Sequence, residues 1–423
     1  MTRASRARRP RWKRGAVVAL GSALSMSASA VLAQGATFTT IERGRYLVQA
    51  GDCAACHTAD GGQPFAGGRA IPTPFGTVYS TNITPDRDTG IGQWTDEDLY
   101  RAMHSGRGPD GRRYYPAFPY PWYTKLTADD VRAIKSYLDV LPAVRQDDKP
   151  PELPWPLSVR LGMAAWNALY FEEGVYEPDA SKSAAWNRGA YLVEGLGHCG
   201  ACHTPKSALG GPKKSERLQG GYGEHWYAMS LDGNLTDGLG AWSPQDIVEY
   251  LKTGSTVQAA AGGPMAEVVA NSTQYLAEAD LDAIATYLKD LPDRRGASRT
   301  ASSSVDKAAM SHGEALYADD CTGCHLENGE GVAGVFPPLR GSAAVRAREP
   351  GTVVEAMVDG ARVVATKDKP TGLAMPAFGW KLTDAELADL ATYIRNAWGN
   401  HASAVSKDDV AGIREETKRS AAK

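Results

Sequence analysis

Apolar residues recur at i, i+3, i+4 and i+7 in three separate stretches, carrying Ala133-Ile134 with Tyr137-Leu138, Ala283-Ile284 with Tyr287-Leu288, and Leu390 with Tyr393-Ile394. That period predicts three amphipathic helices, each with one face turned to a core. Thr127 with Asp130 and Thr383 with Glu386 stand as capping-box patterns at the start of two of them. Upstream of each lies a shorter helical pattern that opens at a glycine: Gly44-Arg45-Tyr46-Leu47-Val48, Gly189-Ala190-Tyr191-Leu192-Val193 and Gly313-Glu314-Ala315-Leu316-Tyr317. The stretches between opening and closing helices read as loop-rich. The chain is therefore expected to be mostly α-helical and to repeat one small unit three times. Asp147 to Pro156, rich in proline and charge, and the Ser-rich Arg294 to Asp306 read as linkers. The apolar helical stretch Leu161 to Phe171 is expected to pack between the first two units.

Each opening helix runs into a cysteine pair. The chain has six cysteines, placed as Cys53-Ala-Ala-Cys56-His57, Cys199-Gly-Ala-Cys202-His203 and Cys321-Thr-Gly-Cys324-His325, with none left over. This is the c-type haem attachment pattern. Two thiols add to the two vinyl groups along one porphyrin edge, and the adjacent histidine reaches the iron as fifth ligand. One such pentapeptide would also fit a thioredoxin-like redox pair or half a zinc site. Three, using every cysteine, point to three covalent haems c. A unit of this size has too little core to stand alone, and a buried haem makes up the missing apolar contact.

With 43% hydrophobic and 22% charged residues in 423, the chain is globular, and its length suits two or three domains. Its net charge of −3 is unevenly placed. Residues 1–33 hold seven basic groups (Arg3, Arg6, Arg8, Arg9, Arg11, Lys13, Arg14) and no acidic one, which leaves 39 basic against 49 acidic, a net −10, in the rest. A chain that acidic is unsuited to nucleic acid, whose binding runs on phosphate neutralisation by Lys and Arg. The basic segment is followed by the apolar Gly15 to Leu24 and a small-residue run closing at Val31-Leu32-Ala33, so it reads as an export signal cleaved after Ala33. No other stretch approaches the roughly 20 apolar residues of a spanning helix. The residues after Trp398 read as a polar, solvated tail.

Taken together, these motifs resemble one family, the three-haem cytochrome c subunit of periplasm-facing, membrane-associated dehydrogenases of the alcohol, gluconate, sorbitol, fructose or molybdenum hydroxylase type. The resemblance spans about residues 38 to 400. It rests on Arg43-Gly44-Arg45-Tyr46-Leu47, Pro74-Phe75-Gly76, Asn82-Ile83-Thr84-Pro85-Asp86, Tyr115-Pro116-Ala117-Phe118-Pro119-Tyr120, Gly197-His198 with the second haem motif and Thr204-Pro205, and Met375-Pro376-Ala377-Phe378-Gly379-Trp380. It implies three tandem class I cytochrome c domains, at 38–146, 182–293 and 307–400, with a signal at 1–33, a linker carrying a helix at 147–181, a linker at 294–306 and a tail at 401–423. It also implies a dehydrogenase catalytic subunit as partner, and a quinone or oxidase-side acceptor.

In such domains the sixth iron ligand comes from the loop ahead of the closing helix. The resemblance implies Met265 for the second domain and Met375 for the third. The first departs from the pattern, because Phe118 stands where many relatives have methionine. The internal repeat pairs Met103 with Leu251 and Met357, as an apolar core position, and leaves His104 as the expected ligand, with Met103 the alternative. Pro337 is expected to accept the Nδ1–H of His325 through its carbonyl. His225 is placed to meet a haem propionate.

The reading is an electron carrier, not an enzyme: neither a Rossmann glycine fingerprint nor a P-loop is visible, so substrate oxidation falls to the partner. It predicts a periplasmic location, peripheral to the inner membrane or held there by the partner. Two rivals stand beside it. One is a haem enzyme of peroxidase or thiosulfate-oxidising type, acting at an open first iron. The other is a haem-based sensor, which the lack of an output domain disfavours.

Overall fold

The computed structural model describes residue 1 and residues 38–294 and 305–421, with side chains as far as residue 418. Residues 2–33 of the expected export signal and most of the 294–306 linker lie outside the described residues. The architecture is mostly helical. Each unit opens with a helix: α1 (residues 38–50), α7 (Ala184–Tyr191) and α12 (Lys307–Asp320). Each closes with one: α5 (Ala128–Leu138), α11 (Glu278–Lys289) and α16 (Asp384–Asn396). A short helix carries each haem motif: α2 (Cys53–His57), α8 (Gly200–His203) and α13 (Thr322–His325).

Opening and closing helices cross at the same place in every unit, and glycine makes the crossing possible. A Cβ on Gly44 would lie 1.9 Å from the Ala133 carbonyl oxygen, on Gly189 1.9 Å from that of Ala283, and on Gly313 2.3 Å from that of Asp389. The glycine is thus not the start of the opening helix, as its position in the apolar pattern suggested, but the point of closest backbone approach inside it. The helices continue N-terminal to it because nothing there breaks them.

Loop regions between these helices fold into small hairpins. Strand β1 (Ala70–Thr73) pairs antiparallel with β2 (Gly76–Tyr79), Ala70 opposite Tyr79. Likewise β3 (Gln219–Gly223) pairs with β4 (Trp226–Ser230), Gln219 opposite Ser230, and β5 (Ala361–Arg362) with β6 (Ala374–Met375). Each unit also has a middle helix, after the hairpin in the first two units and before it in the third: α3 (Asp96–Ser105), α9 (Pro244–Thr253) and α15 (Gly351–Val358). The first two open on complete capping boxes, Thr95 with Asp98 and Ser243 with Asp246.

Among the described residues the buried apolar side chains fall into two clusters, not three. One runs unbroken through the first two units, from Leu47, Val48, Leu126 and Ile134 to Leu192, Leu196, Leu281 and Leu288. The other belongs to the third unit alone, with Tyr317, Val354, Leu387, Leu390 and Ile394. It also takes in Val405 and the fully buried Val410, because residues 407–421 are not a solvated tail but a helix, α17 (Lys407–Ala421), laid on α15 and α16. Arg414 fastens it, donating from Nε to Asp384 Oδ1 (2.7 Å) and from Nη2 to the Leu382 carbonyl (3.1 Å). Few apolar side chains hold this helix, so its composition read as solvated.

Helix α6 (Gly162–Tyr170) does lie between the first two units, with one face only. Tyr120 donates to Asn167 Oδ1 (2.5 Å), and Trp166 Nε1 donates to the Leu209 carbonyl (3.0 Å), while Leu161 and Leu169 face outward. Among the described residues no helix is long and apolar enough to cross a membrane.

The glycine crossing yields a direct test by denaturant unfolding followed by circular dichroism. Gly189→Ala forces two helix backbones apart and should cost about 3 kcal/mol. Gly412→Ala, in α17, where an added Cβ meets nothing within 4 Å, should stabilise its helix by somewhat under about 1 kcal/mol.

Candidate haem sites

In all three units the motif histidine is oriented by one device. His57 Nδ1 lies 2.7 Å from the Thr81 carbonyl, His203 Nδ1 2.7 Å from that of Met229, and His325 Nδ1 3.0 Å from that of Pro337. A carbonyl only accepts, so each Nδ1 carries the proton and each Nε2 presents a lone pair. Burial pushes all three imidazoles below the usual histidine pKa, which keeps them neutral and fit to ligate a metal. The Pro337 acceptor was legible from the sequence. Those at Thr81 and Met229 were not, since a backbone acceptor leaves no mark on side-chain identity.

The six thiols are unpaired by disulfide. Burial pushes Cys53, Cys199 and Cys321 up to about 12, and Cys56 up to about 11. A reactive thiol needs the opposite, a depressed pKa in an electropositive setting, so Cys53, Cys56, Cys199 and Cys321 are not placed as reactive thiols. At the second site the backbone closes around the motif: a Cβ on Gly221 would sit 2.5 Å from the Cys202 carbonyl oxygen, and one on Gly223 2.8 Å from Cys202 Sγ. Two adjacent thiols and a neutral imidazole with a free Nε2 fit a covalently attached haem at each motif, and at the second a glycine-lined wall stands beside them.

The residues expected on the far side of the iron are differently placed. Met375 lies in β6, half-buried against the third unit's core. Met265 is not in a loop but in the first turn of α10 (Gly263–Asn271), half-buried, because Pro264 at the start of the apolar run favours helix initiation. In the first unit Phe118 packs between Tyr114 and Tyr123, ring centroids 5.6 Å away in each case.

His104 has three close neighbours. Its ring stacks on Tyr100 (4.9 Å), Nδ1 lies 3.4 Å from Thr124 Oγ1, and Nε2 lies 3.5 Å from Glu173 Oε1. Met103, one residue earlier and so about 100° around α3, is buried in the shared core against which Cys53 and Phe118 pack. On this amphipathic helix the apolar neighbour faces inward and the histidine faces a hydroxyl and a carboxylate.

The sequence offered His225 a haem propionate and gave no sign of its partner in the fold. It sits at the turn of the β3–β4 hairpin, whose Gly223 backs Cys202 and whose Met229 orients His203. Rather than a propionate, it meets Glu355 of α15, in the third unit: Nε2 lies 3.1 Å from Oε1, with the two side chains 12% and 1% exposed. Thr417 of α17 donates to the same carboxylate (2.9 Å). Nearby, Thr352 Oγ1 donates to the Tyr227 carbonyl (2.5 Å). The hairpin that frames the second site is thus also the seat of the third unit.

A cytochrome c family model matches residues 41–142 and 310–398. The chain is 38% identical over 412 residues to the gluconate 2-dehydrogenase cytochrome c subunit of Pantoea cypripedii, covering 93% of each chain. It is 38% identical to the cytochrome c subunit of the quinone alcohol dehydrogenase of Gluconobacter oxydans, over 95% of this chain and 87% of that one. It is 39% identical to the fructose dehydrogenase cytochrome subunit of Gluconobacter japonicus, over 89% of this chain and 82% of that one.

The His225–Glu355 contact makes the seating of the third unit depend on pH. The hydrogen bond to Glu355 raises the His225 pKa against the opposing effect of burial, and Glu224 and Glu416 add to the rise. A raised folded-state value means that the contribution is fully present below the unfolded histidine value of about 6.5 and fades as pH rises through the folded one. Unfolding of the third unit followed from about pH 5 to pH 9 should lose about 2 kcal/mol across that window. In His225→Gln this pH dependence should disappear.

Proposed function

Because this chain belongs to the family of cytochrome c subunits of dehydrogenase complexes, we propose that it relays electrons through three covalent haems from a catalytic partner to a quinone or terminal acceptor. Its role is electron transfer and not catalysis. The three relatives are subunits of dehydrogenases named for three different substrates, so in this reading the partner sets the substrate and this chain does not.

The observation that carries the reading is the histidine device repeated in all three units, each beside two cysteines free of disulfide. Cys53, Cys56 and His57 hold the first haem, Cys199, Cys202 and His203 the second, and Cys321, Cys324 and His325 the third. A haem c bound in this way supplies a one-electron iron couple. The chain's own residues fix the ligating imidazoles and exclude water. A thioether opposite histidine raises a haem potential, and Met265 and Met375 take that position at the second and third sites. At the first, the inward position of Met103 favours it over His104. The basic and apolar leader over residues 1–33 places the mature chain in the periplasm, attached peripherally to the membrane or through its partner.

The exported protein should have the mass of residues 34–423 plus three haems, with pyridine haemochrome titration giving three haems per chain. Near-infrared absorption should show the methionine charge-transfer band for all three. Met103→Ala should turn one low-spin haem high-spin, and His104→Ala should leave all three low-spin. Two haems per chain, or a high-spin conversion by His104→Ala alone, would contradict the assignment.

A further inference from the structure

The shared core of the first two units is organised by two hydrogen-bonded clasps that are copies of each other. In one, Asp130 of α5 accepts from Arg43 Nε and Nη2 in its own unit (2.9 and 2.6 Å) and from the Tyr191 hydroxyl of the other (2.5 Å). In the second, Asp280 of α11 accepts from Arg188 Nε and Nη2 (2.8 and 2.7 Å) and from the Tyr46 hydroxyl of the first unit (2.6 Å). Arg43-Gly44-Arg45-Tyr46 and Arg188-Gly189-Ala190-Tyr191 match position for position, so each residue of one clasp has its counterpart in the other. Each tyrosine oxygen also accepts a backbone N–H at the N-terminus of the closing helix it reaches, Thr127 N (3.3 Å) and Ala277 N (3.1 Å). The two units therefore cap each other's closing helices.

The same exchange covers the haem motifs. Ser272 of the second unit donates to the Ala50 carbonyl (3.2 Å) just ahead of the first motif. Its counterpart Trp122, five residues before Thr127 as Ser272 is before Ala277, packs against Gly200 inside the second. Arg69 donates to the Ala55 carbonyl of the first motif (2.6 Å) and to Glu267 of α10 in the second unit (2.7 Å).

We infer that the first two units form an internal pseudo-dimer in which Arg43–Asp130–Tyr191 and Arg188–Asp280–Tyr46 act as positioning residues, holding the first and second haem motifs in fixed register across the junction so that the haems they would carry form an electron-exchange pair. The third unit is outside this pair, since Ala315 stands where the two tyrosines do and Glu386 is engaged in its own helix cap. The inference rests on the reading that sites 1 and 2 hold haems.

Circular dichroism of the full-length, haem-loaded protein in the Soret region tests it, because two haems held at a fixed short separation give a two-signed couplet. Wild type should show the couplet. Asp130→Asn with Asp280→Asn, and separately Tyr46→Phe with Tyr191→Phe, should each reduce its amplitude at least twofold with three haems per chain still bound and absorption unchanged. The single variants Tyr46→Phe and Tyr191→Phe, each leaving one clasp whole, should give intermediate amplitudes and serve if a double variant fails to load. A wild-type protein with three haems but no couplet overturns the pairing of the first two haem sites. An undiminished couplet in both fully loaded double variants overturns the positioning role, leaving the clasps merely structural. A haem count below three in wild type would instead overturn the underlying haem reading.

Discussion

Everything at the three sites depends on one close approach, the passage of an opening helix over a carbonyl of the closing helix at Gly44, Gly189 and Gly313. With no side chain in the way, the two backbones touch and the packing around them is fixed. That crossing sets where the opening helix ends, and hence where the cysteine pair and histidine begin. The histidine then needs only one carbonyl from the loop beyond to have its tautomer and ring plane determined. The same three-part arrangement, glycine crossing, motif helix and backbone acceptor, recurs although the loops between differ in length and hairpin.

Repetition of the unit does not make the chain three equal beads. The tyrosines that fuse the first two units are absent from the third, and it is joined instead through a hairpin turn and a buried His225–Glu355 contact. The second unit also carries one more residue than the first between its tyrosine and its first cysteine, and that residue is absorbed as a turn of π-helix over Leu192–Leu196. Such a bulge lets Tyr191 keep its place in the clasp while the motif keeps its place at the haem site. The second unit is thereby the hub: Tyr191 and Asp280 bind it to the first unit, and the β3–β4 hairpin binds it to the third.

What was legible in the sequence was whatever leaves a side-chain signature. The haem motifs, the three closing helices and the linker helix near Leu161 are all carried by residue type and period. What was not legible depends on distance. Thr127 with Asp130 has the same capping pattern as Thr383 with Glu386, yet only the second closes as a box, because Arg43 and Tyr191 draw the Asp130 carboxylate away. His104 and Met103 are neighbours in sequence and face different surroundings on α3. Residues 407–421 look polar throughout, but a guanidinium satisfied by Asp384 and backbone carbonyls holds their helix in place. His225 reads as a partner for a haem propionate, and nothing in the sequence brings Glu355, 130 positions away, to it.

The central claim, that this chain carries a dehydrogenase's electrons, is tested most directly by rapid-mixing absorbance of the native complex purified with its catalytic partner. On addition of that partner's substrate under anaerobic conditions, the haem bands of this chain should become reduced, to an extent accounting for all three haems at completion. Substrate turnover with an artificial dye acceptor, while those bands remain oxidised, would contradict the claim.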